Sequence, residues 1–99
     1  MKSPYKQIHI KKIPKGDYEL INPIPVIIET KEDNYYSARA GHLGIKCPGI
    51  GETKQKACKE LIDIILTEAD DLMNPSRTLR QEDINKLEKI QEYLVKVSN

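Results

Sequence analysis

Tryptophan and phenylalanine are absent from these 99 residues, and five tyrosines are the only large aromatics. A core made without them must come from Ile, Leu, Val and Ala, with Tyr at its margins. Cysteine is equally scarce. Cys47 and Cys58 can form at most one disulfide, and in a small intracellular domain such residues are expected as reduced, buried thiols. No run approaches the roughly 18 uninterrupted apolar residues of a membrane span. The start, Met1-Lys2-Ser3-Pro4-Tyr5-Lys6, lacks the apolar stretch of a secretory signal, so a soluble cytoplasmic protein is expected. An excess of one charge is missing too: 16 basic and 15 acidic side chains leave +1, too little for self-repulsion to hold the chain open. With 11.3 kDa, a single domain over residues 1–99 with one modest core is the expectation.

What is present alternates in the first third of the chain. Ile8 and Ile10 fall on one side of Tyr5 to Ile13, with Gln7, His9 and Lys11 on the other, as in a half-exposed strand. Pro14-Lys15-Gly16-Asp17 supplies a reversal before the run Tyr18 to Ile21, so residues 1–24 read as a strand and arm forming a loose hairpin. Val26-Ile27-Ile28-Glu29-Thr30 and Tyr35-Tyr36-Ser37-Ala38-Arg39-Ala40 flank a polar tip and should pair as an antiparallel hairpin. Ile45-Lys46-Cys47 reads as a third strand, and Pro48-Gly49-Ile50-Gly51 as a turn.

Two helices follow. Thr53 can cap the first, with Ala57, Leu61, Ile64, Ile65 and Leu72 on one side, and Asn74-Pro75 ends it. Thr78-Leu79-Arg80-Gln81 fits a capping box for a second helix, whose stripe Leu87, Ile90, Leu94 and Val97 carries it nearly to Asn99. The order predicts an α+β fold, a small antiparallel β-sheet of three to four strands with two helices packed on one face. It divides into the arm 1–24, a β-β-β-α core over 25–73 and a C-terminal helix over 76–99. An open sheet leaves edges, so a homo-oligomer, dimer or larger, is expected, joined through the stripe of the second helix or the arm Tyr5 to Ile13.

The strand Pro25-Val26-Ile27-Ile28-Glu29, the acidic turn Glu32-Asp33-Asn34 before Tyr36, the turn at Leu43 and the run GIGETKQKA at 49–57 occur in an order and spacing that resembles the HicB-like antitoxins. Gly51-Glu52-Thr53 stands where that family has Gly-Asp-Thr, and Ala57 where it has a helix-facing Ala. Gly41-His42-Leu43-Gly44 stands in place of Pro-Asp-Leu-Pro-Gly, and Gln55 and Lys56 replace a pair of glutamates. The resemblance implies a remnant of an RNase H-type fold that binds and neutralises a small basic RNA-cleaving toxin of the HicA type. The longer antitoxins add a DNA reader after this domain. Residues 76–99 are too short to supply one, so the resemblance implies a free-standing protein-binding module.

No catalytic or metal-binding set stands out. His42, Cys47 and Cys58 lack paired spacing and a fourth ligand. Gly49-Ile50-Gly51 lacks the Gly-Lys-Ser/Thr ending of a phosphate loop. An RNase H-type centre needs several carboxylates converging on Mg²⁺, yet only Glu29 lies inside a clear strand. The expectation is a protein that is not an enzyme and uses no cofactor.

Charge along the first helix is more informative. Lys54, Lys56 and Lys59 open it and Glu68, Asp70 and Asp71 close it, against the preference of the helix dipole. Exposed misplacements cost only about 0.3 to 1 kcal/mol each, so a solvated face is the plainer reading. In the functional reading, Glu68, Asp70 and Asp71 are a surface for a basic partner, and reversing them to Lys leaves folding intact. The alternative is nucleic-acid binding through Lys11, Lys12, Lys15, Lys46, Lys54 and Lys56, against which stand the small net charge and the lack of any RNA-binding signature.

Overall fold

The computed structural model describes residues 5–14, 16–31, 34–74 and 76–97. The fold is α+β. A four-stranded antiparallel sheet has the order β1-β3-β4-β5, formed by β1 (Tyr5–Ile10), β3 (Ile24–Lys31), β4 (Tyr35–Arg39) and β5 (Gly49–Gly51). A second, two-stranded ribbon joins β2 (Tyr18–Leu20) to β6 (Leu94–Lys96). Helices α1 (Lys54–Met73) and α2 (Gln81–Gln91) follow the large sheet in sequence.

Alternation sets the faces of the sheet. Ile24, Val26 and Ile28 of β3 are buried while Ile27 is exposed, and Ile28 pairs with Ala38, which is also buried. β1 joins β3 in antiparallel register, Ile10 opposite Ile24 and Ile8 opposite Val26, so its apolar side extends the same face. Helix α1 closes that face with Ala57, Leu61, Ile65, Ala69 and Leu72, the positions that its 3.6-residue period stacks on one side. Thr53 caps it: its side chain accepts from the Lys56 N–H at 3.1 Å. Asn74 follows as the C-cap, and Pro75 lies outside the described residues.

The structure differs from the sequence reading at five places. The third strand is Gly49–Gly51, not Ile45-Lys46-Cys47; a 3-10 turn at Gly41–Leu43 and an irregular stretch precede it. Glycine is a poor strand former, but here only glycine fits. A Cβ on Gly49 would lie 2.2 Å from the Ala57 carbonyl oxygen and 2.4 Å from the Leu61 nitrogen, and one on Gly51 2.6 Å from the Ala57 nitrogen. Both point at α1, so β5 and α1 meet backbone to backbone, and the glycines serve close approach rather than a turn.

The second helix is shorter than its stripe suggests. It begins at Gln81 with Arg80 as the N-cap, not Thr78, because the Asp83 carboxylate accepts from the Arg80 N–H at 3.1 Å and from Arg77 Nη1 at 2.9 Å. An arginine side chain only donates, so no reciprocal capping box forms. The helix ends at Gln91, and residues 94–96 are strand, so the C-terminal helix over 76–99 is corrected to α2 plus β6. Leu94 is buried, as its place in the stripe predicts, but it reaches the core from a strand paired with Leu20. Backbone bonds from the Ile21 N–H to the Tyr93 carbonyl and from the Val97 N–H to the Asp17 carbonyl, both 2.7 Å, extend the ribbon.

That pairing also replaces the loose N-terminal hairpin: β1 belongs to β3, and β2 to β6. Ile90 and Leu94 of the proposed oligomer stripe are fully buried within the subunit and Leu87 packs against the same core, so that stripe is used internally. Finally, Cys47 is exposed and Cys58 half-buried, both as free thiols, rather than both buried.

Candidate functional site

An open groove of about 860 Å³ runs beside the second half of α1. One wall is α1 itself, where Glu60, Asp63, Thr67, Asp70, Asp71 and Asn74 recur three or four residues apart and so share a flank. The other wall comes from the two ends of the ribbon, Asp17 just before β2 and Lys96 of β6. Glu68, Asp70 and Asp71, singled out by the sequence, all line this groove. Acidic residues outnumber the single lysine, and the C-terminal half of the helix dipole adds negative potential.

The three predicted residues are not equivalent. Asp70 accepts a hydrogen bond from the buried Tyr18 hydroxyl at 2.7 Å, tying β2 to α1. Burial and the adjacent carboxylate push the Tyr18 phenol up to about 12. Glu68 faces Lys86 of α2 at 3.8 Å. Asp71, with Glu60 and Asp63, makes no hydrogen bond or ion pair through its carboxylate among the described residues. Asp70 is therefore part of the fold, which corrects the expectation that reversing all three charges leaves folding intact.

A second groove, of about 640 Å³, lies on the other flank of α1 between its first two turns and β1 with its tail. Lys11, Lys12, Lys54 and Lys59 rim it above a floor of Ile8, Ile10 and Ile62. The Lys54 ammonium sits 5.9 Å from the centre of the Tyr36 ring, a cation–π contact. Lys11, Lys12 and Lys54 of the predicted basic set are thus brought together. Lys56 is not on this rim and faces Glu52 at 3.9 Å, Lys46 lies in the loop before β5, and Lys15 lies outside the described residues.

The remaining candidates stay apart. Among the described residues no three His, Cys, Asp or Glu side chains gather closely enough to hold a metal ion. His42 meets Tyr93 edge to face at 5.7 Å, and burial, with the charge of Lys89, lowers its pKa. Burial pushes the Cys58 thiol up, away from the thiolate that nucleophilic chemistry requires. No described helix is long and apolar enough to cross a membrane.

Sequence reasoning missed Glu60, Asp63 and Asp17 in the acidic groove; it grouped Lys59 with Lys54 and Lys56 at the start of the helix but left it out of the nucleic-acid-binding set. The first two carried a readable signal, since Glu60, Asp63, Thr67 and Asp71 repeat at helical spacing. Asp17 did not, because it reaches the groove only through the pairing of β2 with β6. No protein-family model, curated protein or solved structure matches the chain.

Proposed function

We propose that this chain is a non-enzymatic, HicB-like protein-binding module whose acidic groove receives a small basic partner, an RNA-cleaving toxin of the HicA type. The observation that carries the reading is the groove beside α1, where Glu60, Asp63 and Asp71 hold carboxylates with no hydrogen-bond or ion-pair partner inside the described fold. Unpaired like charges gathered on one flank raise the local potential and speed the approach of a cation-rich surface. The sequence resemblance over Pro25 to Leu66 supports the kind of partner, and the charge of the groove supports the place of contact.

The test uses Asp63→Lys with Asp71→Lys, which spare the Tyr18 and Lys86 contacts. With a HicA-type toxin as the probe, wild type is expected to bind it and suppress its RNA cleavage. The double variant should bind more weakly at low salt, by about tenfold or more, with the difference shrinking as salt rises. Unchanged affinity at low salt removes the groove from the reading, and failure of wild type to suppress cleavage removes the antitoxin role.

The gathering of Lys11, Lys12, Lys54 and Lys59 favours a second reading, nucleic-acid binding in the opposite groove. Its mark is an affinity for RNA that falls steeply with salt and is lost in Lys11→Glu with Lys54→Glu. The Tyr36 ring, already under Lys54, is poorly placed to stack a base.

A further inference from the structure

Strand β1 is an edge of the large sheet. Among the described residues β3 is its only neighbour, and apart from that pairing no backbone bond reaches Lys6 to Ile10. A strand turns its N–H and C=O groups to alternate sides along its length, so half of those in this stretch point away from the sheet. They form a template on which a further strand can pair.

The edge borders the basic groove. Ile8 and Ile10 lie on the α1 side of the sheet with their partners Val26 and Ile24, and together with Ile62 they give the groove an apolar floor. Lysines stand on both sides of that floor, Lys11 and Lys12 in the tail of β1 and Lys54 and Lys59 on α1. Lys11, Lys12 and Lys59 make no hydrogen bond or ion pair among the described residues, and Lys54 has only the Tyr36 ring. The one carboxylate among the described lining residues, Glu52, faces Lys56. The first turn of α1 lies at the groove with no acidic residue in it, so the helix dipole adds to the positive potential.

An occupant must therefore bring a backbone that can pair with β1, apolar side chains for the floor and negative charge for the rim. Nucleic acid meets only the last requirement, since its backbone cannot continue a β-ladder. A second copy of β1 would set its own Lys6, Lys11 and Lys12 against these lysines, and a basic protein is repelled in the same way. An extended acidic peptide with an apolar centre meets all three. This is recognition by strand addition, in which main-chain bonds hold the guest and its alternate side chains select it.

We propose that β1 and the groove beside it receive an extended acidic segment of another protein, added to the sheet as a further strand, with its apolar side chains over Ile8, Ile10 and Ile62 and its carboxylates on the rim lysines. The site lies on the opposite flank of α1 from the acidic groove and does not rest on the toxin-binding reading. It claims the surface that the nucleic-acid reading would use, and the test separates the two.

Fluorescence anisotropy on the full chain provides the test. The probe is a labelled, capped peptide as long as the six residues of β1, with valine at its third and fifth positions and glutamate elsewhere. Wild type is expected to bind it saturably at low salt. Lys54→Glu with Lys59→Glu, both at exposed positions, should weaken binding by about tenfold or more and leave circular dichroism unchanged. Serine in place of both valines of the peptide should also cost about tenfold or more. N-methylation of alternate peptide amides removes the donors of one side at a time, so one set should abolish binding and the other leave it nearly intact. No saturable binding below about 1 mM overturns the proposal. So does binding that ignores the serine change, or equal effects of the two methylation patterns. A single-stranded oligouridylate that binds more tightly than the peptide makes the groove a nucleic-acid site and overturns it as well. Should the lysine variant unfold, the changes made in the peptide decide alone.

Discussion

Along α1, Ala57 and Leu61 meet the backbone of β5 so closely that a single methyl group does not fit, whereas Glu68 and Asp70 meet their surroundings through the tips of side chains. The first half of the helix is held by packing without slack, and the second by one part-buried hydrogen bond, one long ion pair and the burial of Ile65, Ala69 and Leu72. Close packing transmits any change in volume, while exposed polar contacts are screened and individually weak. The difference explains how one helix both anchors a sheet and carries unpaired acid. Of the closing acids, Asp71 takes no part in these contacts, while Asp70 beside it belongs to the fold.

The sharpest way to break this contrast is Gly49→Ala. The added carbon falls on backbone atoms of Ala57 and Leu61 that have no rotamer to escape through, so the loss should exceed the roughly 3 kcal/mol of ordinary overpacking. Urea denaturation is expected to show a largely unfolded chain. Next come two truncations of the same chemistry in the two halves. Leu61→Ala and Leu72→Ala should each cost within about 2 to 5 kcal/mol, with Leu61 the larger because it sits against β5 where nothing can collapse inward. Equal midpoints for the two variants would remove the contrast.

Tyr18→Phe probes the second half through the part-buried Tyr18–Asp70 hydrogen bond and should cost about 1 kcal/mol. It also carries a pH signature. The phenol titrates at about 12 in the fold against 10.0 when unfolded, so the unfolded state loses its proton first. The stability this bond contributes is complete below pH 10 and is lost as pH rises towards 12, so wild type should weaken over that window. Thermal melts of Tyr18→Phe at the same pH values should lack that component. The smallest effect is expected from Asp63→Lys with Asp71→Lys, which should stay within about 0.5 kcal/mol of wild type because neither carboxylate makes a hydrogen bond or ion pair among the described residues. A loss above about 2 kcal/mol would show that the acid supports the fold after all.

How far the sequence could be read depends on the range of the interaction. The hairpin of β3 and β4, the Thr53 cap and the buried stripe of α1 are local patterns, and all three were legible. The strand β6 was not. Leu87, Ile90 and Leu94 keep helical spacing, and nothing near Leu94 reveals that Leu20, across nearly the whole chain, is its partner. The third strand was misplaced because Ile45-Lys46-Cys47 has the better strand composition, while Gly49-Ile50-Gly51 gains its place from the absence of side chains facing α1. The candidate site divides in the same way. The opposite charges of Lys54 and Asp71 could be read along the chain, but their assignment to separate flanks, and the distance of Lys46 and Lys56 from the basic groove, required the fold.

The pairing of β2 with β6 has a consequence for the order in which the molecule assembles. The hairpin, β5 and α1 are close in sequence and can associate early, but the ribbon must close a loop that contains almost everything else. It should therefore form late and, with three residues a side, open readily. Asp17 and Lys96 ride on that ribbon, so the acidic groove gains its second wall only when the ribbon closes. A chain whose sheet and helix have formed without the ribbon would lack a finished groove.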